Sequence, residues 1–171
     1  MKYLLLALLL FTVTLAHAQK VVKDTTKEKE GIAVAEFGGA SSFNLKGGAA
    51  YGYDISVEVT PIEDWLELEL GVSPVFSSHS HETDVDLLFK KPWTFSNKVE
   101  FMLGVGPSYT HENDNGTINN SLSGEFALDF MFWPSAKHRL GWFLEPAYQV
   151  SFAQSHEQSI GISAGLLVSI P

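Results

Sequence analysis

"LGWFLEPAYQVSF", residues 140–152, carries a large apolar residue at every second position: Leu140, Trp142, Leu144, Pro146, Tyr148, Val150 and Phe152. Between them stand Gly141, Phe143, Glu145, Ala147, Gln149 and Ser151. Successive side chains point to opposite faces of a strand, so the stretch reads as one ribbon with an apolar face and a mixed small and polar face. Pro146 donates no ladder hydrogen bond, so a bulge or a local break is expected there.

The same period of two recurs along the chain from Gly31, with no stretch of helical period. It predicts strands over 32–43, 48–59, 65–76, 84–90, 98–110 and 121–133, then the opening stretch, then a last strand after residue 158. Turn-rich segments separate them at 44–47, 60–64, 77–83, 92–97, 111–120, 134–138 and 154–158. Eight strands of about ten residues with short connections suit an all-β, antiparallel up-and-down meander that closes into a barrel. An even strand count puts both chain ends at one end of the barrel. The connections at that end, around Pro61, Pro92 and Pro134, each carry a proline, while the opposite end carries the Asn-, Ser- and His-rich loops.

Outside the barrel, residues 1–18 (MKYLLLALLLFTVTLAHA) combine Lys2, an apolar run from Leu4 to Phe11 and an Ala16-His17-Ala18 cleavage pattern. That is the composition of a secretory signal, and the run is too short for a spanning helix. Residues 19–30 are charged and read as a flexible polar arm ahead of a single domain over 31–171. The formal charge is −9 and Arg139 is the one arginine, so no basic stripe exists to meet nucleic acid. Cysteine is absent, which excludes disulfides and thiolate chemistry.

Alternation alone leaves two orientations open. A soluble, lipocalin-like periplasmic carrier turns its apolar face inward, whereas a membrane barrel turns it toward lipid. The polar face holds Gly38, Gly104, Gly106, Ala127, Gly141, Ala147, Gly161 and Gly165 among its carboxylates, as a crowded eight-stranded interior requires. Trp65, Trp93, Trp133 and Trp142 fall near the proline-marked turns, and Phe43, Tyr51, Phe76, Tyr109 and Phe152 near the other rim. Two aromatic belts are what a bilayer with two interfaces selects.

In length, strand count and turn asymmetry the chain from Gly31 resembles the small eight-stranded outer-membrane barrels of the OmpA/OmpX-like class. The resemblance implies a Gram-negative outer membrane as location, outer-membrane lipids as partners, periplasmic termini and periplasmic proline-marked turns. It also implies an aromatic last residue, but this sequence ends Val168-Ser169-Ile170-Pro171. That departure leaves a variant assembly signal or a soluble barrel open.

Two constellations could carry chemistry. With the polar face inside, the lumen receives Glu36, Asp54, Glu58, Glu67, Glu69, Asp86, Glu100, Glu125, Asp129 and Glu145 against Lys90 and Arg139. So many carboxylates in a dry interior take up protons, bind cations or keep waters, and a filled lumen of this size is not an open pore. At the loop end His79, His81, His111 and His156 accompany Glu82, Glu112, Asp114 and Glu157, a donor set suited to a divalent metal such as zinc, copper or nickel. No other cofactor is expected: the paired glycines of "EFGGASSF" and "LGVGPSY" precede no helix that would hold a phosphate. A lipid A deacylase would resemble a serine hydrolase with a His-x-Ser pair, which is lacking, although Ser77-x-His79 is present. The expectation is therefore a monomeric, non-enzymatic barrel with structural, adhesion-like or interaction duties, open to an extracellular ligand or metal ion. The alternatives are the periplasmic carrier and the lipid A-modifying enzyme.

Overall fold

The computed structural model describes residues 33–78, 80–135, 138–153 and 156–170. The leader over 1–18, the arm over 19–30 and His79 lie outside the described residues. Eight strands follow one another: β1 (Ala33–Asn44), β2 (Ala49–Ile62), β3 (Leu66–Phe76), β4 (Ser80–Ser96), β5 (Val99–Asp114), β6 (Thr117–Phe132), β7 (Leu140–Ser151) and β8 (Gln158–Ile170). Each pairs antiparallel with its neighbour in sequence, and β8 closes on β1 from Ala33 opposite Ile170 to Asn44 opposite Ser159. Closure leaves no sheet edge with unpaired backbone groups.

Three strands are longer than their hydrophobic patterns. β4 takes in most of 77–83 and the segment from Pro92 to Ser96, and β5 and β6 convert 111–120 into a continuous ladder with Asp114 opposite Thr117. Asn115 and Gly116 alone make that turn, at φ of 48° and 89°. Two central residues with positive φ give the primed hairpin turn whose twist matches that of its strands, and Asn113 Oδ1 accepts from Gly116 N at 3.0 Å. Beyond the apolar band a strand meets water on its outer face, so polar residues such as His111 and Asn120 continue the ladder without an alternating signature.

The opening stretch settles the orientation. In β7, Leu140, Trp142, Leu144 and Tyr148 lie on the outer surface, and Phe152 just beyond them is 63% exposed, whereas Gly141 and Phe143 are buried. The outward rows of β1, β2 and β8 repeat this, with Phe37, Tyr53, Ile55, Ile162 and Leu166 all exposed. A barrel that is apolar outside and carboxylate-rich inside is a membrane-spanning barrel, because water rewards the reverse arrangement. At the proline-marked end Phe132 stacks on Trp142 at 4.1 Å and Trp93 on Phe101 at 5.7 Å. Near the other rim Phe43 meets Tyr51 edge-on at 6.2 Å, and Tyr53 meets Phe76 at 6.1 Å.

Trp133 corrects the belt assignment. It is 2% exposed and points inward, forming an apolar floor with Met102, Met131, Phe143 and Leu167 at the proline-marked end of the lumen. Its position just after β6 continues the inward row of Ala127, Asp129 and Met131, so strand parity outweighs the interfacial preference of tryptophan.

Pro146 causes a break without a bulge. Between β6 and β7 the pairing stops after Ala127 opposite Ala147 and resumes at Phe130 opposite Leu144 in the same register, while β8 pairs with β7 without interruption. Pro74 in β3 and Pro107 in β5 do the same toward β2 and β4. At the closing seam Gly38 faces Gly165, and a Cβ on Gly165 would lie 2.0 Å from the Phe37 carbonyl oxygen. Only glycine fits that approach of backbones.

Candidate functional site

The inward rows of the eight strands stack into three layers above one another. The floor is the apolar cluster around Phe143 and Met131. Above it Lys90, projecting from β4 and fully buried, is surrounded by carboxylates from four strands. Its Nζ donates to Glu69 of β3, to Asp129 Oδ2 of β6 at 3.1 Å and to Glu145 Oε2 of β7 at 2.7 Å. Glu58 Oε2 of β2 lies 3.6 Å away. Gly104 on β5 makes room for the lysine stem, since a Cβ there would stand 3.0 Å from Lys90 Cγ.

This layer holds more acceptors than donors. Glu36 Oε1, Glu58 Oε2, Asp129 Oδ1 and the Ser56 hydroxyl are buried without a hydrogen-bond partner among the described residues. Glu36, Glu58, Glu69 and Asp129 each offer an oxygen within 4.8 Å of the others, the spacing of a metal cage. The Lys90 ammonium already sits against three of those four, so the cation at this level is the lysine itself. Arg139, its expected companion, is exposed at the proline-marked rim and is not in the lumen.

The third layer opens toward the loop end as a cavity of about 70 Å³ lined by Asp54, Asp84, Asp86 and Glu125 above Glu69 and Glu145. A second cavity of about 110 Å³, lined by Glu82, Glu112 and Glu157 with serines and Gln149, continues it toward the rim. Of the remaining sequence-derived candidates, Glu67 adjoins Glu58, and Glu100 accepts from Trp133 Nε1 at 3.1 Å beside the floor. The barrel thus splits one row of ten carboxylates among a lysine-centred layer, an upper cavity and a tryptophan brace.

The histidines lie elsewhere. His81 is exposed and packs edge-on against Phe76 at 5.3 Å, His111 is exposed with Nδ1 2.7 Å from Asn120 Oδ1, and His156 is exposed at φ 43°. His81 and His111 are on adjacent strands with outward side chains, two register positions apart. No set of three histidine or carboxylate groups that includes them is drawn together among the described residues. Ser77 and Ser80 hydroxyls share a hydrogen bond of 2.8 Å across the same rim, and His79 between them falls outside the described residues.

No protein-family model and no curated protein sequence matches the chain. Solved structures do. The Neisserial surface protein A superposes with a TM-score of 0.63 at 14% identity, over 81% of this chain and 96% of that one. The fold is that of the small outer-membrane β-barrels. The N-terminal barrel of Pseudomonas aeruginosa OprF gives a TM-score of 0.59 at 12% identity, over 81% of this chain and 99% of that domain. Ail of Yersinia pestis, solved with the heparin analogue sucrose octasulfate, gives 0.59 at 10% identity, over 82% of this chain and 99% of its own.

Within this outer-membrane barrel fold, reasoning from sequence missed Lys90 as the hub, Asp84 and Glu82 as cavity walls, and Ser56 as a buried hydroxyl. Parity carried part of the signal: residues 82, 84, 86, 88 and 90 of β4 all face inward, so extending that strand back through 77–83 places Glu82 inside with them.

Proposed function

We propose that this chain is a monomeric resident of the Gram-negative outer membrane with a structural or interaction role, neither a pore nor an enzyme, and that its loop end faces outside the cell. The observation that carries the reading is the pairing of an apolar outer surface with an interior closed by Lys90 and its carboxylates over the Trp133 and Phe143 floor. An aqueous path through the barrel would have to break both layers. A lipocalin-like carrier needs an apolar cavity, and the inner cavity here mixes Ala40, Val75, Ala147 and Ile162 with six carboxylates, while the outer one is lined by carboxylates, serines and amides.

The rim chemistry indicates the kind of partner. Sucrose octasulfate, held by Ail, is a polyanion. Here the loop end presents Glu82, Glu112, Asp114 and Glu157, and Lys46 is spent on Glu157 at 3.9 Å. Like charge disfavours a sulfated glycan, so the partner for an adhesion-like role is cationic or neutral. A divalent metal on the rim would have to draw His81, His111 and His156 together from the separate positions they hold among the described residues.

Membrane fractionation combined with heat-modifiable gel mobility tests the location, and recovery in the soluble fraction after lysis would refute it. Zinc or copper titrated into the purified barrel should bind more weakly to the His79→Ala, His81→Ala, His111→Ala triple variant. Equal affinity would remove the rim metal.

A further inference from the structure

The upper lumen cavity carries an inference of its own, separate from the rim histidines and from the location of the protein. Its two parts adjoin, since Ser42, Gln149 and Ser159 line both, and together they reach from the loop end down to Glu69 and Glu145 above Lys90. Among the described residues neither lysine nor arginine lines either part. The carboxylates of its wall differ in how they are satisfied. Asp54 Oδ1 accepts from the Ser73 hydroxyl at 2.5 Å, Asp84 Oδ1 from Thr110 Oγ1 at 2.5 Å, and Glu145 from Lys90.

Asp86 is different. It is 9% exposed, it lines the cavity, and its Oδ2 has no hydrogen-bond partner among the described residues. It stands directly opposite Gly71 of β3, where a Cβ would come within 2.6 Å of both carboxylate oxygens. The glycine therefore leaves the space in which the Asp86 carboxylate lies. A buried carboxylate oxygen without a donor is costly unless a cation compensates it, and the nearest lysine is committed to Glu69, Asp129 and Glu145.

We propose that this cavity binds one hydrated divalent cation of the calcium or magnesium class, entering from the loop end, with Asp86 as its direct ligand and Asp54, Asp84 and Glu125 reached through its waters, since no three of these carboxylates bring oxygens within 4.8 Å of one another. Donor chemistry selects the class: carboxylate and hydroxyl oxygens suit hard cations, and no imidazole lines the cavity to favour zinc or copper. Size agrees, because about 70 Å³ accommodates an ion with several of its waters when each water needs on the order of 10–15 Å³. The acidic rim of Glu82, Glu112 and Glu157 draws cations toward the mouth.

The test is calorimetric titration of calcium and magnesium, at constant ionic strength, into the refolded, chelator-treated barrel, with terbium luminescence as a second readout. One ion should bind per barrel. Asp86→Asn should weaken binding at least tenfold, Gly71→Ala should weaken it by displacing the carboxylate, and His81→Ala with His111→Ala should leave it unchanged. Heat-modifiable mobility identifies folded variants, and Glu125→Gln, expected to weaken binding several-fold, replaces Asp86→Asn if that variant does not fold. Absence of saturable binding at millimolar calcium and magnesium, or unaltered affinity in the folded Asp86→Asn or Glu125→Gln barrel, would overturn the proposal. Fractionation reads the outer-membrane location separately, so either idea can fail alone.

Discussion

Replacing Lys90 with methionine should destabilise the barrel by about 3–5 kcal/mol, the usual cost of removing one partner from a buried ion pair. Lys90 and Met are similar in volume, and the lysine stem packs in the space over Gly104, so little packing is lost. What goes is the donor shared by Glu69, Asp129 and Glu145, with Glu58 at 3.6 Å left facing three other uncompensated carboxylates. At 1.4 kcal/mol per tenfold, that is roughly a hundredfold to a few-thousandfold shift in the folding equilibrium. Reversible urea titration of the refolded mature chain in micelles, followed by tryptophan fluorescence and by heat-modifiable mobility, measures it. Adding Glu69→Gln and Asp129→Asn to Lys90→Met should recover much of the loss, because neutral groups need no counter-ion. A Lys90→Met barrel within 0.5 kcal/mol of the parent, or a triple variant less stable than Lys90→Met alone, would refute the hub.

Three further outcomes follow from the same geometry. Gly165→Val should prevent closure, since its Cβ would fall 2.0 Å from the Phe37 carbonyl oxygen, whereas Gly39→Ala, whose Cβ meets nothing closer than 3.9 Å, should fold; the gel-shifted fraction reports both. Leu70→Arg, on the outer face midway along β3 and 56% exposed, should cost about 2–4 kcal/mol in lipid vesicles, an effect a water-facing site would not show. Gly116→Val should destabilise the β5–β6 hairpin by about 1–3 kcal/mol, because a β-branched residue resists φ of 89°, and should speed amide exchange there first.

The strand plan was legible because lipid imposes a simple rule: every second residue of a spanning strand is apolar. Leu140 to Phe152 and Ile160 to Ile170 show it without interruption. The rule lapses where strands leave the bilayer, which is why the two ends of β4 read as turns, as does the tip of the β5–β6 hairpin until Asn115-Gly116 is recognised as a two-residue turn. Parity also placed Glu36, Glu58, Glu69, Asp129 and Glu145 inside, yet it carries no height. Which carboxylates meet Lys90 and which line the upper cavity depends on the register of eight strands around the barrel, a long-range property. Trp133 was misplaced for a related reason: composition suggested the interface, and its inward row put it on the floor. At the loop end His81, His111 and His156 are all exposed, His81 packing on Phe76 and His111 lying beside Asn120 separately.

Which face of β7 meets lipid tests the account most directly. The chain has no cysteine, so single cysteines can be introduced at successive positions from 142 to 149 and spin-labelled in vesicles. Collision rates with oxygen and with a water-soluble nickel chelate should alternate with period two. Labels at 142, 144 and 148 should be oxygen-accessible and shielded from nickel, and labels at 143 and 147 inaccessible to both. Nickel accessibility at 142, 144 and 148 would mean that the apolar face meets water and would contradict the membrane barrel.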